Sequence, residues 1–295
     1  MRRALTVIAS LAAPMALVLV LAVGLSACAG EDAGPAASPP STASATAPAS
    51  PSTTVGPAET VTLALYFLRG DRLGVAHRLV PATTMPATAA MTLLLEGPDA
   101  RERTAGLTTA VPAGTRLGNV AIADGVAHVD LGGRFAAGGG SASMQARVAQ
   151  VVYTLTQFPT VHAVRFLIDG RPVETLGGEG LVLDTPQRRA DWERLLPAIF
   201  VETPAVGDTI RSPTRVTGSA SVFEGTFVLE LVRRDGTVLA RETVTASEGA
   251  PGRGSFAARL RFVGSGAVIL RAYQVSMEDG TPLDEVRIAL AATVD

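Results

Sequence analysis

A chain of 295 residues, 47% of them hydrophobic but only 4% aromatic, is long enough to bury two cores built mainly from Val, Leu, Ile and Ala. All 25 basic residues are arginine and stand against 27 acidic ones, a net charge of -2. Without a basic surplus the composition excludes a nucleic-acid binder, which needs a cationic stripe to displace counterions from phosphates.

The chain opens with Arg2 and Arg3, followed by a mostly apolar stretch from Ala4 to Leu25 and small residues up to Cys28. This is the layout of a secretory signal over residues 1–27. Leu25-Ser26-Ala27-Cys28 resembles the bacterial lipobox, in which an aliphatic residue and two small ones precede a cysteine. The resemblance implies cleavage before Cys28 and a diacylglycerol on its sulfur, a lipid-anchored protein on the extracytoplasmic side of the cell membrane. An uncleaved membrane helix and an ordinary signal peptide with a chance cysteine are the alternatives, since about 20 apolar residues suffice to cross a bilayer. Cys28 is the only cysteine, so a thioether there leaves the folded part with no thiol for a disulfide or a metal. One acyl chain holds a protein only marginally, whereas several anchor it stably.

Residues 28–60 are almost entirely Ala, Pro, Ser, Thr and Gly after the cysteine. Such a stretch cannot offset its ordering entropy, and it reads as a disordered tether. As a coil it spans roughly 30 Å, and up to about 100 Å if drawn out as polyproline II.

At Val61 the periodicity changes. "VTLALYFLRGD" and "GVAHRLVP" read as strands joined by a Gly-Asp turn. "MPATAAMTLLLEGP" predicts a helix that starts near Pro86, buries Ala87, Met91, Leu94 and Leu95, and stops at Gly97-Pro98. "TRLGNVAIADGVAHVDL" predicts a hairpin with a type I′ turn at Asp124-Gly125. A second helix carries Met144, Val148, Val151, Leu155 and Phe158 on one stripe, with Ser141 or Ser143 as its cap. "VHAVRFLIDGRPV" is a last strand ending at Asp169-Gly170. The order strand, strand, helix, strand, strand, helix, strand predicts an α+β domain over 61–176, an antiparallel-rich sheet with its helices on one face.

Within it stand Tyr66-Phe67, Leu79-Val80-Pro81, Glu96-Gly97-Pro98, Val111-Pro112, Gly114-Thr115, Asp124-Gly125-Val126 and Val129-Asp130-Leu131, together with "VVYTLTQFPTVHAVRFLIDG" over 151–170. In these pieces, taken in order, the segment resembles the GerMN domain of bacterial sporulation and germination proteins and of many envelope lipoproteins. The resemblance implies a non-enzymatic role in assembling envelope or sporulation complexes. GerMN sheets are also similar to ring-building domains of secretion machines, which implies self-association.

Residues 177–197 read as a linker with one short helix from Pro186 to Leu195, on which Trp192 packs against a domain. An exposed recognition tryptophan is the alternative. From 198 to 295 seven short alternating strands follow, with turns at Gly207-Asp208, Asp235-Gly236, Gly249 to Gly254 and Asp279-Gly280. They predict an all-β sandwich without a cysteine pair. Ile199 to Pro204, Val216-Thr217-Gly218, Val222 to Gly225, Asp235-Gly236 and Gly254-Ser255-Phe256 resemble the immunoglobulin-like domain of bacterial spore germination proteins.

Chemistry-bearing patterns are sparse. His77, His128 and His162 fall on separate predicted strands without metal-ligand spacing. Gly138-Gly139-Gly140 before Ser141 and Ser143 suggests a phosphate cradle, but the chain has no lysine to complete a P-loop, and a loop with a cap is the simpler reading. Asp124, Asp169, Asp235 and Asp279 each precede glycine, as hairpin turns require. Glu224 beside Gly225 reads as a turn or bulge residue. No catalytic, cofactor-binding or metal site is expected, and Cys28 is the one site residue, for lipid attachment. The expected partners are membrane lipid through Cys28, envelope proteins met by strand addition at a sheet edge, and further copies of the chain. A module binding peptidoglycan or other wall glycan is the alternative function, and a hydrolase assembled from dispersed residues a third.

Overall fold

A computed structural model describes residues 59–178 and 180–293; Cys28, the signal over 1–27 and nearly all of the tether lie outside the described residues. Strands β1 (Thr60–Arg69) and β2 (Arg72–Pro81) form a hairpin in unbroken register from Thr60 opposite Pro81 to Arg69 opposite Arg72. Helix α1 (Pro86–Glu96) starts on its proline, buries Ala87, Ala90, Met91 and Leu94, and ends where Gly97 turns to a φ of 82°. A short helix not expected from periodicity, α2 (Ala100–Thr104), follows at once. It is nucleated by a reciprocal cap in which Asp99 accepts from the Glu102 amide at 2.8 Å and Glu102 accepts from the Asp99 amide at 2.7 Å.

Strand β3 (Leu107–Thr108) returns to the far end of β1. Strands β4 (Leu117–Ala123) and β5 (Val126–Leu131) turn at Asp124 and Gly125, whose φ values of 50° and 78° are the two left-handed residues of a type I′ turn. Helix α3 (Ser141–Leu155) then carries the chain to β6 (Ala163–Ile168), which runs parallel to β5 as a helical crossover allows. Asp169-Gly170 is not a terminus but a further tight turn into β7 (Arg171–Pro172). A small hairpin of β8 (Thr175–Leu176) and β9 (Leu181–Val182) closes the domain.

The strands of this α+β domain divide into two sheets, β2-β1-β3 and β4-β5-β6-β7. The physical reason lies on α3. Over Ala64 and Tyr66 the second edge of β1 is met by side chains of α3 and of Gln157, just past its end, instead of a strand. Gln157 accepts from the Ala64 amide at 2.8 Å and donates to its carbonyl at 2.7 Å. Thr154 accepts from the Tyr66 amide at 3.2 Å, and Gln150 donates to the Tyr66 carbonyl at 3.1 Å. Gln150 and Thr154 are completely buried, and they supply the partners that buried backbone requires.

The expected serine cap of α3 is not made: Gly140 is the N-cap, with no side-chain hydrogen bond, and Ser141 is already helical. Order in the preceding loop comes from Arg147, which is 4% exposed and donates to the carbonyls of Ala110, Phe135, Ala137 and Gly138 at 2.7–3.0 Å. Of the loop's glycines, Gly138 gives its carbonyl oxygen to this guanidinium, while the Gly140 carbonyl accepts from the Met144 amide.

The second domain is a sandwich of β10 (Ile199–Thr203), β11 (Thr209–Arg211), β12 (Thr214–Ala220), β13 (Thr226–Arg233), β14 (Val238–Thr245), β15 (Gly254–Leu260), β16 (Gly266–Val275) and β17 (Pro282–Thr293). The sheet β10-β12-β15 packs on β11-β17-β16-β13-β14, with Phe227 and Phe256 edge to face at 4.8 Å between them. All seven expected strands form. The eighth, β11, is three residues long and pairs parallel to β17, too short for alternation to reveal.

Candidate functional site at the domain seam

Four elements meet where the two domains join. Tyr66 on β1 and Tyr153 on α3 come from the first domain, Arg189 from a 3-10 turn in the connector (Arg189–Leu195), and Glu202 from β10. The Tyr66 hydroxyl donates to Glu202 Oε1 at 2.6 Å, and Arg189 Nη1 donates to the same oxygen at 2.7 Å. Arg189 also donates to Tyr66 Oη at 2.9 Å and to Thr156 Oγ1 at 2.8 Å. Its guanidinium lies 5.2 Å from the Tyr66 ring centre and 4.7 Å from that of Tyr153, a double cation–π contact. Phe200 of β10 completes the aromatic box at 6.2 and 6.3 Å from the two tyrosine rings.

Burial pushes the Tyr66 hydroxyl far above the ordinary phenol range; Arg189 opposes the rise and Glu202 adds to it. Burial also raises Tyr153. Desolvation works against the charge on Arg189, but Tyr66 and Glu202 outweigh it and hold its proton more firmly than usual. The cluster is therefore a neutral hydroxyl wedged against an ion pair, an arrangement that fastens elements together.

A second fastening is made by backbone. The segment between β10 and β11 lies alongside β2, where the His77 amide donates to the Val206 carbonyl at 2.9 Å and the Val206 amide to the Val75 carbonyl at 3.3 Å. His77 Nδ1 sits 2.8 Å from Asp208 Oδ2, which also accepts from the Ala205 amide at 2.9 Å. Gly207 makes this approach feasible: its φ is 102°, and a Cβ there would fall 2.7 Å from the His77 carbonyl oxygen. Trp192 anchors the connector, 3% exposed, with the Arg194 guanidinium 5.0 Å above its ring.

Sheet edges differ in how they are guarded. Part of β2 is covered by the β10–β11 segment, and β14 carries Arg241 and Glu242. Strand β4 pairs on one side only, with β5, and its seven residues LGNVAIA include no charge, with Ile122 44% exposed. Such an edge is a template for a further strand.

Residues 64–174 match the family Germane, described as "Sporulation and spore germination". Residues 198–281 match Gmad2, the immunoglobulin-like domain of bacterial spore germination. The chain joins a GerMN-type domain to a germination-type immunoglobulin-like domain. Among solved structures it is similar to the first GerMN domain of the sporulation protein GerM from Bacillus subtilis, at 25% identity and a TM-score of 0.37, over 45% of this chain and 100% of that one. The tandem GerMN domains of the same Bacillus subtilis protein align at 19% identity and a TM-score of 0.40, over 69% of this chain and 62% of that one. No curated protein matches the chain.

Of the three histidines, His77 reaches the seam between the GerMN and immunoglobulin-like domains. His128 lies within β5, and His162 packs its ring beside the Gly125 turn. Among the described residues no group of three His, Cys, Asp or Glu side chains gathers to hold a metal ion. Glu224 adopts a left-handed φ of 52° before Gly225 at 67°, the turn expected of it. The Asp235 carboxyl accepts from the Thr237 amide at 2.9 Å, and that bond holds its pKa low. Asp279, bonded by Ser276 and Thr281, is held low in the same way. Sequence reasoning missed Arg189 and Glu202, because a pair thirteen residues apart on either side of a proline-bounded connector follows neither strand nor helix periodicity.

Proposed function

We propose that this chain is an extracytoplasmic lipoprotein, anchored in the cell membrane by a diacylglycerol on Cys28. It acts as a non-enzymatic docking protein in an envelope assembly of the sporulation or germination kind. The observation that carries the docking role is the free, uncharged edge of β4 on a GerMN domain that is itself fastened to its immunoglobulin-like neighbour. A strand-adding partner, an envelope protein or a second copy of the chain, gains backbone hydrogen bonds along β4 and apolar contact at Val120 and Ile122. The matched families support this reading by their descriptions, sporulation and germination. Three acidic side chains serve as structural ion-pair partners. Glu102 is held by Arg78 at 2.6 Å, Glu202 by Arg189 at 2.7 Å and Glu230 by Arg271 at 2.9 Å.

The test has two arms in cells that make the protein. Cys28→Ser is expected to release the protein from membranes or leave it unprocessed; normal fractionation of that variant refutes the anchor. A photo-activated cross-linker at Ala121 is expected to capture a specific envelope protein or a second copy, and Ile122→Lys to abolish the capture with membrane localisation unchanged. Cross-linking that is indifferent to Ile122→Lys refutes docking at β4.

A further inference from the structure

Below the β1–β2 hairpin, where the two domains and the connector meet, a cleft of about 850 Å³ opens to solvent. Its walls bring together Arg69 and Arg72 from the hairpin, Arg194 from the connector, Arg253 from the loop before β15 and Arg287 from β17. Leu73, Phe200 and Ile288, each under 5% exposed, give it an apolar floor. Four separate stretches of sequence thus line one solvent-open cleft with arginines.

Elsewhere in the molecule several half-buried arginines are matched by carboxylates, as in Arg78 with Glu102, Arg189 with Glu202, and Arg271 with Glu230 and Glu285, whereas the buried Arg147 has its donors taken up by four carbonyls. Two arginines in the cleft have neither a carboxylate partner nor the full set of carbonyls that holds Arg147. Arg69 donates from Nη1 to the Arg287 carbonyl, while its buried Nε has no acceptor among the described residues. Arg253 donates to the Pro197 carbonyl at 2.9 Å and to the Ser219 carbonyl and hydroxyl at 3.4 and 3.3 Å. Among the described residues neither forms an ion pair. Desolvation holds both below the ordinary arginine range, the mark of a charge that lacks a counter-charge.

Three carboxylates also line the cleft, and two of them are engaged. Glu285 is held by Arg271 at 2.6 Å and by Arg287 at 3.2 Å, and Asp284 accepts from Gln274 at 2.8 Å. Glu193 alone remains to influence Arg253, through space. The cleft keeps a positive excess with unused donors.

We propose that this cleft is a binding site for an oxyanion, a carboxylate or phosphate group carried by a small ligand, with Arg253 and Arg69 as its principal donors. Guanidinium geometry suits either group, because planar paired N–H donors match two oxygens at once. The apolar floor accommodates the remainder of the ligand. Since the donors belong to both domains, an occupied cleft ties the GerMN and immunoglobulin-like domains more firmly together and raises the temperature at which they unfold. The proposal is independent of the lipid anchor and of docking at β4.

Calorimetric titration of the full chain in neutral detergent, at fixed ionic strength, tests it with inorganic phosphate, pyrophosphate and N-acetyl-D-alanyl-D-alanine. The amide of that dipeptide, which lacks the carboxylate, is the control. Saturable binding of at least one anion, with none of the amide, is expected. Phosphate probes alone would identify a phosphate ligand, and the dipeptide alone a carboxylate ligand. Arg253→Gln is expected to weaken binding by at least about tenfold. Glu193→Gln removes the competing carboxylate without removing a donor, and is expected to tighten binding several-fold. That second change guards against a folding defect, which would loosen both variants alike. Absence of binding by all three anions at about 10 mM, well above the weak-affinity range, overturns the proposal. Equal affinity in the wild type and both variants does so as well.

Discussion

At the scale of single residues the seam depends on a phenol that must stay protonated. Tyr66 titrates near pH 10 in an unfolded chain, and burial raises it well beyond that in the fold. Between those two values the folded state keeps a proton that the unfolded chain has lost. The contribution is therefore fully present below about pH 10 and declines above it, by up to about 1.4 kcal/mol per pH unit. Tyr153 shifts in the same direction, so the two losses add. Tyr66→Phe is expected to cost about 1–2 kcal/mol at neutral pH, because Glu202 and Arg189 lose a partner. It is also expected to flatten the decline in stability between about pH 10 and 12. Denaturant titrations at several alkaline pH values check this, and an unchanged alkaline slope would show that Tyr66 is not the titrating group. Tyr66 stands within a dipeptide that the sequence resemblance singles out, yet nothing in the strand pattern shows its hydroxyl pointing at another domain. Alternation assigns a face, and the partner is supplied by chain that lies far away.

At the scale of elements, α3 is the instructive case. Its apolar stripe was legible from Met144, Val148, Val151 and Leu155, all buried as the 3.6-residue period requires. The same helix also buries Gln150 and Thr154, which amphipathicity alone would assign to solvent. They are buried because β1 offers unpaired backbone groups on that side, and hydrogen bonding overrides the helical pattern. Gln150→Leu keeps the volume similar but strands the Tyr66 carbonyl and the Ala110 amide, the latter now bonded at 2.9 Å. A loss of about 3 kcal/mol is expected, read as a shift of the urea midpoint with little change in slope. A loss below about 0.5 kcal/mol, the range of neutral surface changes, would mean that water or β3 takes over the bonds. The hairpin turns at Asp124-Gly125 and Asp169-Gly170 were readable because left-handed pairs demand those residues locally. By contrast β11 and α2 were not evident from periodicity, since three and five residues are too few to express a period. The Asp99-x-x-Glu102 cap was the local signal that could have revealed α2.

For the whole molecule the question is how firmly two domains act as one body. The backbone bridge through Val206 and the Tyr66–Arg189–Glu202 cluster fasten them at separate points. Gly207→Val places a branched Cβ against the His77 carbonyl at a φ suited to glycine, and so should open the bridge while leaving each domain's own sheets formed. Faster proteolysis within residues 183–198, with an unchanged far-ultraviolet spectrum, is the expected result. Cleavage at the wild-type rate would show that the aromatic cluster alone holds the seam. The sequence by itself determined the order of elements, the two domain types, the tight turns and the cores, because each follows from local conformational preference or from the periodic placement of apolar side chains. Only the tertiary structure decided that side chains on and just after α3 complete β1, that β4 is left as an uncharged edge, and that arginines from four segments share one cleft. Those features arise from polar groups brought together across long loops, and hydrogen bonds between distant segments leave no periodic trace in a chain.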